Sequence, residues 1–238
     1  MINKEIKKLS REQLKGNWWK FVLYTLVIFL ISGTPTAIFG LDNNGVSINI
    51  VSIILTIIIA VFTIGLYLNF VRTKDFNLNS GIKNWKVYLR FLGMYVIIFL
   101  ISMLIMIIPM ALFIAIFSDA IVGVVINPYA MNLFGGITTL IIIMIIIVAV
   151  IYTIINLFFM ATPYLLVDNV TIGQSISKSF ALMKRNKWRL FKLEISFIGW
   201  FLLGIITLGI GLLWVIPYFT MTITNFYTII RDENKDLI

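Results

Sequence analysis

The amino-acid sequence predicts an all-α protein, a polytopic bundle of transmembrane helices. The prediction rests first on composition, because 61% of the 238 residues are hydrophobic, only 12% are charged, and the mean hydropathy is +1.03. A water-soluble protein of this composition would expose apolar patches too large for it to stay monomeric. A bilayer accepts such a surface when every backbone polar group is paired within a helix or a closed barrel.

The second observation is that the apolar residues form long runs. The run 137–159 is interrupted only by Thr138, Thr139, Thr153 and Asn156. Strands of a membrane barrel alternate apolar and polar residues over about 10 positions, whereas a spanning helix needs about 20 predominantly apolar residues. The runs therefore predict helices.

Apolar segments predict about six spans within a single membrane domain, residues 1–238. The predicted spans are residues 21–38, 48–70, 88–117, 136–166, 195–207 and 217–230. The last two come from one apolar stretch, 195–230. As a single helix it would be about 54 Å long, too long for a hydrocarbon core of about 30 Å. Glycines and a proline are available as breakers, so a hairpin is expected near 207–217; five spans are the alternative.

The basic residues give the orientation. All nineteen lysines and arginines fall in four blocks, at residues 4–20, 72–90, 178–192 and 231–235. The six-span arrangement places these blocks on one side. The opposite loops, 39–47, 118–135 and the last hairpin, contain no lysine or arginine, and their only charged side chains are Asp42 and Asp119. Because short cytoplasmic loops carry the excess of lysine and arginine, both termini are predicted to be cytoplasmic. The spans then form three parallel hairpins.

Two basic amphipathic segments are predicted at the cytoplasmic face. The first is the N-terminal segment, 1–20, which is expected to be retained because the apolar run after it is longer than that of a signal peptide. The second is an interfacial helix at 168–192, with a capping-box pattern from Thr171 to Gln174. Both are expected to lie flat on the inner leaflet. A docking surface for an unidentified protein partner is the alternative.

A similar string precedes each predicted hairpin and combines an apolar residue, lysine, asparagine, tryptophan and a second basic residue. The strings occupy residues 14–20, 82–86 and 183–189. An indole suits the headgroup region, and a cation near the surface contributes about 1 kcal/mol toward anionic lipid. Membrane lipids, anionic on the cytoplasmic leaflet, are therefore the expected partners. The predicted interfacial anchors are Trp18, Trp19, Trp85, Trp188, Lys15, Lys83 and Lys184. A threefold repeat and independent anchoring both explain the strings.

Further strings occur in the C-terminal third. They are Ala161-Thr162-Pro163-Tyr164, Asp168-Asn169, Lys187-Trp188-Arg189-Leu190-Phe191, Ser196-Phe197-Ile198-Gly199-Trp200, Thr207 to Trp214 and Pro217-Tyr218. Together with Leu14 to Trp18 they resemble the bacterial membrane protein family known as domain of unknown function 975. The resemblance implies a multi-pass protein of the bacterial plasma membrane, and it supplies no activity and no catalytic residue. Between residues 41 and 160 the resemblance is in hydropathy alone.

The sequence contains neither cysteine nor histidine. This excludes zinc, haem and iron–sulfur ligation by the usual side chains, as well as histidine acid–base catalysis. No phosphate-binding loop or nucleophile elbow is present, so no enzyme activity and no cofactor are expected. The formal charge of +9 follows the membrane topology, and no nucleic-acid partner is expected.

Uncharged polar residues give the candidate polar lining. Thr153 and Asn156 lie three positions apart on one face of the fourth predicted span, and Pro163 would free a backbone carbonyl nearby. Interhelical hydrogen bonds, worth about 0.6 kcal/mol each, are the structural alternative. No charged residue lies deep within a predicted span. Asp168 is expected either to cap the segment that follows it or to have a functional role, and Glu194 is expected to pair with a neighbouring cation.

Two classes of function fit these observations. The first is a non-enzymatic scaffold, accessory or protective component of the bacterial plasma membrane that acts through lipid or protein contacts. The alternative is a small transporter or channel for an uncharged or apolar solute or peptide, since ion-coupled transport usually needs an intramembrane acid or histidine. An immunity or export accessory for a peptide is compatible with the size but rests on no residue.

Overall fold

The computed structural model describes residues 2–39, 45–126 and 131–235, with side chains for 2–32, 51–116, 118 and 138–235. Over these residues the fold is all-helical, as predicted. The helices are α1 (Asn3–Leu14), α2 (Trp18–Phe39), α3 (Gly45–Thr73), α4 (Trp85–Ile126), α5 (Met131–Phe159), α6 (Thr162–Val167), α7 (Ile172–Ile206) and α8 (Leu212–Glu233). A short 3-10 helix, Leu78–Gly81, lies between α3 and α4.

Within the part of the chain that the structure describes, four segments are long and apolar enough to cross a membrane. They are Val51–Thr73, Trp85–Ile116, Thr138–Val167 and Leu212–Glu233. The count rises to five when α1 and the first part of α2, which meet at an angle of 93°, are taken as one broken span. The described helices do not confirm six spans. Helix α7 is not among the candidates because its uncharged part extends only from Ile195 to Ile206.

The loop predicted at 118–135 is largely helical where the structure describes it. Helix α4 continues to Ile126 and α5 begins at Met131. A helix tolerates the short polar interruption there because its backbone hydrogen bonds do not depend on side-chain polarity. The predicted outer carboxylates, those of Asp42 and Asp119, lie outside the described side chains.

The chain divides into two compact units, which we call the first and second units. The second, Gly93–Leu157, holds most of α4 and α5. Its helices expose aliphatic and aromatic side chains on their surfaces, including Phe99 and Ile142. Exposed apolar side chains on helices whose backbone groups are paired internally suit a lipid surrounding.

The first unit, Met1–Leu92 with Phe158–Ile238, has its core around α8. This helix packs against α1, α2, α3 and α7. Its fully buried side chains include Met221 and Phe226. Nearby, Phe21 of α2 contacts Tyr67 and Phe70 of α3, with ring centroids 4.8 and 4.9 Å apart. The aromatic contacts hold α2 and α3 together beside α8.

Helix α1 is docked on this core, so that one of its faces is covered by protein. Ile6, Ser10 and Leu14 are fully buried. Asn225 of α8 donates hydrogen bonds from Nδ2 to Ser10 Oγ at 3.0 Å and to Gln13 Oε1 at 2.7 Å. Because these polar atoms are buried, the bonds fix the register of α1 on α8.

The predicted interfacial helix 168–192 and the predicted span 195–207 form one continuous helix, α7. Thr171 is its N-cap by position, without a side-chain capping hydrogen bond. One face is buried along most of the length, at Ser175, Ser179, Leu182, Met183, Asn186, Leu190, Leu193, Phe197 and Gly204. The basic block lowers the average hydropathy in the middle of this segment. Its charged side chains project from other faces of the helix than the buried one, so the helix continues through the block.

Candidate functional site

Thr153 and Asn156 of the predicted polar lining each form a hydrogen bond within their own helix. The Thr153 hydroxyl donates to the Ala149 carbonyl at 2.8 Å, and Asn156 Nδ2 donates to the Tyr152 carbonyl at 2.9 Å. Both side chains are exposed, and each is bonded one turn back on its own helix, which satisfies the polar group without a partner helix. Pro163 lies in the first turn of α6, after α5 has ended.

Five of the predicted interfacial anchors are exposed. The indoles of Trp19, Trp85 and Trp188 leave 68, 64 and 65% of their surface uncovered. Lys15 and Lys184 are also exposed. An indole this exposed beside cations has the chemistry of an anchor at the membrane surface.

The other two predicted anchors are engaged in the fold. Trp18 packs against Tyr218 of α8, with ring centroids 6.5 Å apart. Lys83 is half-buried and passes close to Gly65, where an added Cβ would come within 2.8 Å of Lys83 Cε. Burial lowers the pKa of the Lys83 ammonium group. These side chains contribute to packing, and they present less surface to lipid than the exposed five.

An ionic cluster, which we call the Asp168 junction, gathers residues that the sequence did not connect. Arg72, near the end of α3, donates from Nη1 to Oδ1 and from Nη2 to Oδ2 of Asp168, at 2.8 and 2.9 Å. Arg231, near the end of α8, donates from Nη1 to Oδ2 at 2.8 Å. The Tyr227 hydroxyl donates to the same oxygen at 3.2 Å. The carboxylate therefore joins α3, α6 and α8.

The Asp168 carboxylate is well compensated. It accepts four hydrogen bonds, which fills the lone-pair capacity of an ionised carboxylate. Its side chain is only 12% exposed, so the two guanidinium groups replace most of its water. Two arginines against one carboxylate leave a net positive charge, and loss of the carboxylate would bring two cations together without compensation.

A third arginine forms hydrogen bonds with the loop after α6. Arg90, in the first turns of α4, donates from Nη1 to the carbonyl oxygens of Asn169 and Val170 at 2.8 and 3.3 Å. Asn169 adopts a left-handed backbone with φ of 65°, a conformation that asparagine tolerates better than most residues. The start of α4 is thus bonded to the same loop as α3 and α8.

Of the two roles predicted for Asp168, capping the next helix is not the one its side chain takes, because Thr171 is at the N-cap position of α7. Asp168 follows the last residue of α6, and its side chain turns to the arginines. One signal for this junction is present in the sequence: Asp168 is a lone acid at the end of an apolar span and lies between two basic blocks.

Glu194 is predicted to pair with Arg189 or a neighbouring lysine. In the structure, Arg189 donates to Asn186 Oδ1 at 2.7 Å and to Glu233 Oε2 at 3.1 Å.

An apolar cavity of about 600 Å³ lies between α2 and α3. Its lining includes Leu23, Ile59 and Phe62, with Lys20 as the cation among the residues that line it. The Tyr24 hydroxyl, on the same wall, forms a hydrogen bond of 2.6 Å with Thr63 Oγ1. A cavity of this volume suits a small apolar molecule or part of an acyl chain.

The fold and these surfaces define an all-helical protein with four or five helices apolar enough to cross a membrane. More specifically, the chain belongs to the family described as "Protein of unknown function (DUF975)", whose model matches residues 1–234. The match includes residues 41–160, where the sequence strings alone showed resemblance only in hydropathy. No curated protein and no solved structure matches the chain.

Proposed function

We propose that this protein is a non-enzymatic component of the bacterial plasma membrane, a scaffold or accessory protein that binds anionic lipid through a basic and aromatic surface. The observation that carries the proposal is a stripe on α7. Lys184, Trp188 and Lys192 recur at four-residue spacing and are all exposed, so they share one face of the helix. We call these three residues the α7 stripe.

The chemistry of the α7 stripe fits lipid headgroups. Each lysine near an anionic membrane surface contributes about 1 kcal/mol, and an indole favours the headgroup region. The exposed pair Trp85 and Lys86 at the start of α4 repeats the combination. A surface that binds lipid through charge is screened by salt, with a Debye length of about 8 Å at physiological ionic strength.

We also propose that α2, α3, α4 and α5 cross the membrane and that both termini are cytoplasmic. The support is the segregation of all nineteen basic residues into blocks on one side of this arrangement. The predicted spans 195–207 and 217–230, which would complete three parallel hairpins, fall in the segments of α7 and α8.

Lipid selectivity tests the proposed binding surface. Native mass spectrometry would count lipids bound to the protein released from nanodiscs of phosphatidylglycerol mixed with phosphatidylcholine. We expect an excess of phosphatidylglycerol adducts, and we expect it to fall by about tenfold at low salt in a Lys184→Gln, Lys192→Gln double variant. The control is Lys235→Gln, which removes an exposed lysine that pairs with Asp232 at 3.8 Å.

Two outcomes would remove this proposal. One is equal binding of the two lipids by the unaltered protein. The other is a loss of adducts that, per lysine removed, is equal in the control and the double variant, which would make the effect one of total charge and not of the α7 stripe.

The cavity between α2 and α3 favours a second candidate, facilitated movement of an apolar solute or peptide. Replacing Ile59, which lines the cavity, by tryptophan would fill part of it. If the cavity carries a solute, flux into proteoliposomes of the purified protein falls in Ile59→Trp and is unchanged in Asn156→Leu. Absence of flux above protein-free liposomes would reject this candidate.

A further inference from the structure

The turn between α7 and α8 has an apolar tip. Ile206, Leu208 and Ile210 leave 75, 93 and 62% of their surface uncovered. A turn at a water surface is ordinarily built from polar residues, glycine and proline. Three large aliphatic side chains that no described residue covers fit an apolar surrounding instead.

The polar groups of this turn are paired internally. Thr207 Oγ1 donates to the Gly204 carbonyl at 2.8 Å and accepts from the Gly211 amide at 2.8 Å. The Gly209 amide donates to the Gly204 carbonyl at 3.1 Å, and the Leu212 amide donates to the Gly209 carbonyl at 3.0 Å. Irregular backbone exposed to lipid is unfavourable unless its polar groups have partners. This turn largely meets that condition.

The two arms of the hairpin are in close contact near the turn. A Cβ added at Gly204 would lie 2.6 Å from Leu212 Cδ2 and 3.2 Å from the Leu212 backbone nitrogen. A Cβ added at Gly211 would lie 2.7 Å from Thr207 Oγ1. Small residues that let backbones approach closely are typical of helices that pack in lipid.

Helix α1 limits how deep the hairpin reaches. Lys7 Nζ donates to Ser196 Oγ at 3.1 Å and lies 4.7 Å from the centre of the Phe197 ring. The Tyr218 hydroxyl donates to the Lys7 carbonyl at 3.4 Å. Lys7 is half-buried, and the exposed basic residues of α1 are Lys4, Lys8 and Arg11. Because charged side chains are costly in the bilayer core, α1 stays at the surface and holds Ser196 and Tyr218 near that level.

The remaining length is too short to cross a membrane. From Phe197 to Ile206, α7 extends about 14 Å, and from Leu212 to Tyr218, α8 extends about 9 Å, at about 1.5 Å per residue. The hydrocarbon core is about 30 Å thick. We propose that the α7–α8 hairpin enters one leaflet only, with its tip, 206–210, among the acyl chains of the leaflet on which α1 lies.

The charge pattern along α7 agrees with one-sided insertion. The α7 stripe ends at Lys192. Beyond the half-buried Glu194 and the exposed Ser196, the exposed side chains of α7 are apolar, including Ile198 and Leu202. The cations therefore lie at headgroup level, and the apolar part lies beyond them in the acyl chains. Both ends of the hairpin remain on the side of α1. That this leaflet is the cytoplasmic one rests on the proposed orientation.

Single-cysteine labelling tests the proposal, because the chain has no native cysteine. Leu208→Cys would be treated with a membrane-impermeant maleimide in sealed vesicles of each orientation. Lys8→Cys marks the side of α1, and Asn43→Cys marks the opposite side predicted from the sequence. We expect Leu208→Cys to react from neither side and to react once detergent is added.

Two labelling results would overturn the proposal. Reaction of Leu208→Cys from the side that labels Asn43→Cys would show that the hairpin crosses the membrane, as six spans require. Reaction from the side that labels Lys8→Cys would place the tip in water. If Lys8→Cys and Asn43→Cys react from the same side, the proposed orientation fails, and the result at Leu208→Cys still reports on the hairpin.

A depth measurement separates lipid insertion from shielding by protein. A fluorophore attached at Leu208→Cys in detergent would be reconstituted with lipids that carry a nitroxide on the headgroup or on the acyl chain. We expect acyl-chain nitroxides to quench at least about twice as strongly as headgroup nitroxides, because the tip lies below the headgroups. Stronger quenching by the headgroup nitroxide, or no quenching by either, would contradict the proposal.

Discussion

Arg72 and Asp168, separated by 96 positions in the chain, form a two-point contact in which Nη1–Oδ1 and Nη2–Oδ2 are 2.8 and 2.9 Å apart. The contact joins the end of α3 to the loop after α6, and Arg231 brings the end of α8 to the same carboxylate at 2.8 Å. Three segments that are distant in sequence are thereby held at one position. The Asp168 junction is accordingly the place where substitutions should most affect the first unit.

Asp168→Asn removes the charge that compensates two arginines. Neutralising one partner of a fully buried ion pair costs about 3 to 5 kcal/mol; we expect about 2 kcal/mol here, because the Arg72 and Arg231 side chains are 36 and 33% exposed. We expect a fall in Tm of about 4 to 8 °C in detergent for a chain of this size. Asp75→Asn, at an exposed acid of the α3–α4 connection, is the control and should change stability by less than about 0.5 kcal/mol. Equal Tm values for the two variants would contradict the assigned role.

The two arginines of the junction should respond differently to lysine. Arg72 bonds both carboxylate oxygens, whereas Arg231 bonds one. A lysine cannot reproduce a two-point contact. Arg72→Lys should therefore destabilise the protein by about 1 kcal/mol more than Arg231→Lys, as measured by denaturant unfolding in the same detergent. A larger loss in Arg231→Lys would show that the single bond dominates the cluster.

Much of the fold can be predicted from local sequence, but the Asp168 junction cannot. Long apolar runs predict helices because hydropathy is a property of neighbouring residues, and the exposed Trp19 and Trp188 were found from their basic neighbours. The contact of Arg72 with Asp168 depends on how helices pack, which no local pattern contains. Likewise a threonine and an asparagine in an apolar span, such as Thr153 and Asn156, can line a cavity or bond their own helix, and the residue types do not distinguish the two.

The continuity of α7 does not follow from average hydropathy, for a related reason. Its basic block lowers the hydropathy between 184 and 192, and this pattern predicts an interfacial helix and a separate short span. The buried face at Leu190, Leu193 and Phe197 continues through the block at helical spacing. Periodicity was therefore a better guide here than average hydropathy.

Glu194 should make stability depend on pH. Burial raises the pKa of its carboxyl group above the usual value of 4.5, so folding favours the protonated form. The corresponding stabilisation is complete below pH 4.5 and is lost as the pH rises through the raised pKa. Glu194→Gln should thus gain Tm relative to the unaltered protein as the pH increases from 4 to 7, with little difference at the acidic end. A constant difference across this range would contradict the assignment.

The hairpin glycines provide a matched pair of substitutions on one helix. The Cβ that Gly204→Ala adds would lie 2.6 Å from Leu212 Cδ2, whereas a Cβ added at Gly199 would have no atom within 4 Å. We expect Gly204→Ala to destabilise by about 1 to 3 kcal/mol through crowding and Gly199→Ala to stabilise by up to about 1 kcal/mol through helix propensity. Thermal unfolding of both variants checks the signs. Stabilisation by Gly204→Ala would mean that the arms of the hairpin are not in contact there.

The basic and aromatic surface of this protein is proposed to bind anionic lipid, and the most direct test of that binding is Tm in nanodiscs of increasing phosphatidylglycerol content. Ligands that bind only the folded state raise Tm. We predict a Tm that rises with phosphatidylglycerol, a smaller rise in high salt, and a smaller rise in the Lys184→Gln, Lys192→Gln variant. A Tm that is the same in phosphatidylcholine alone and in phosphatidylglycerol-rich discs would contradict the account.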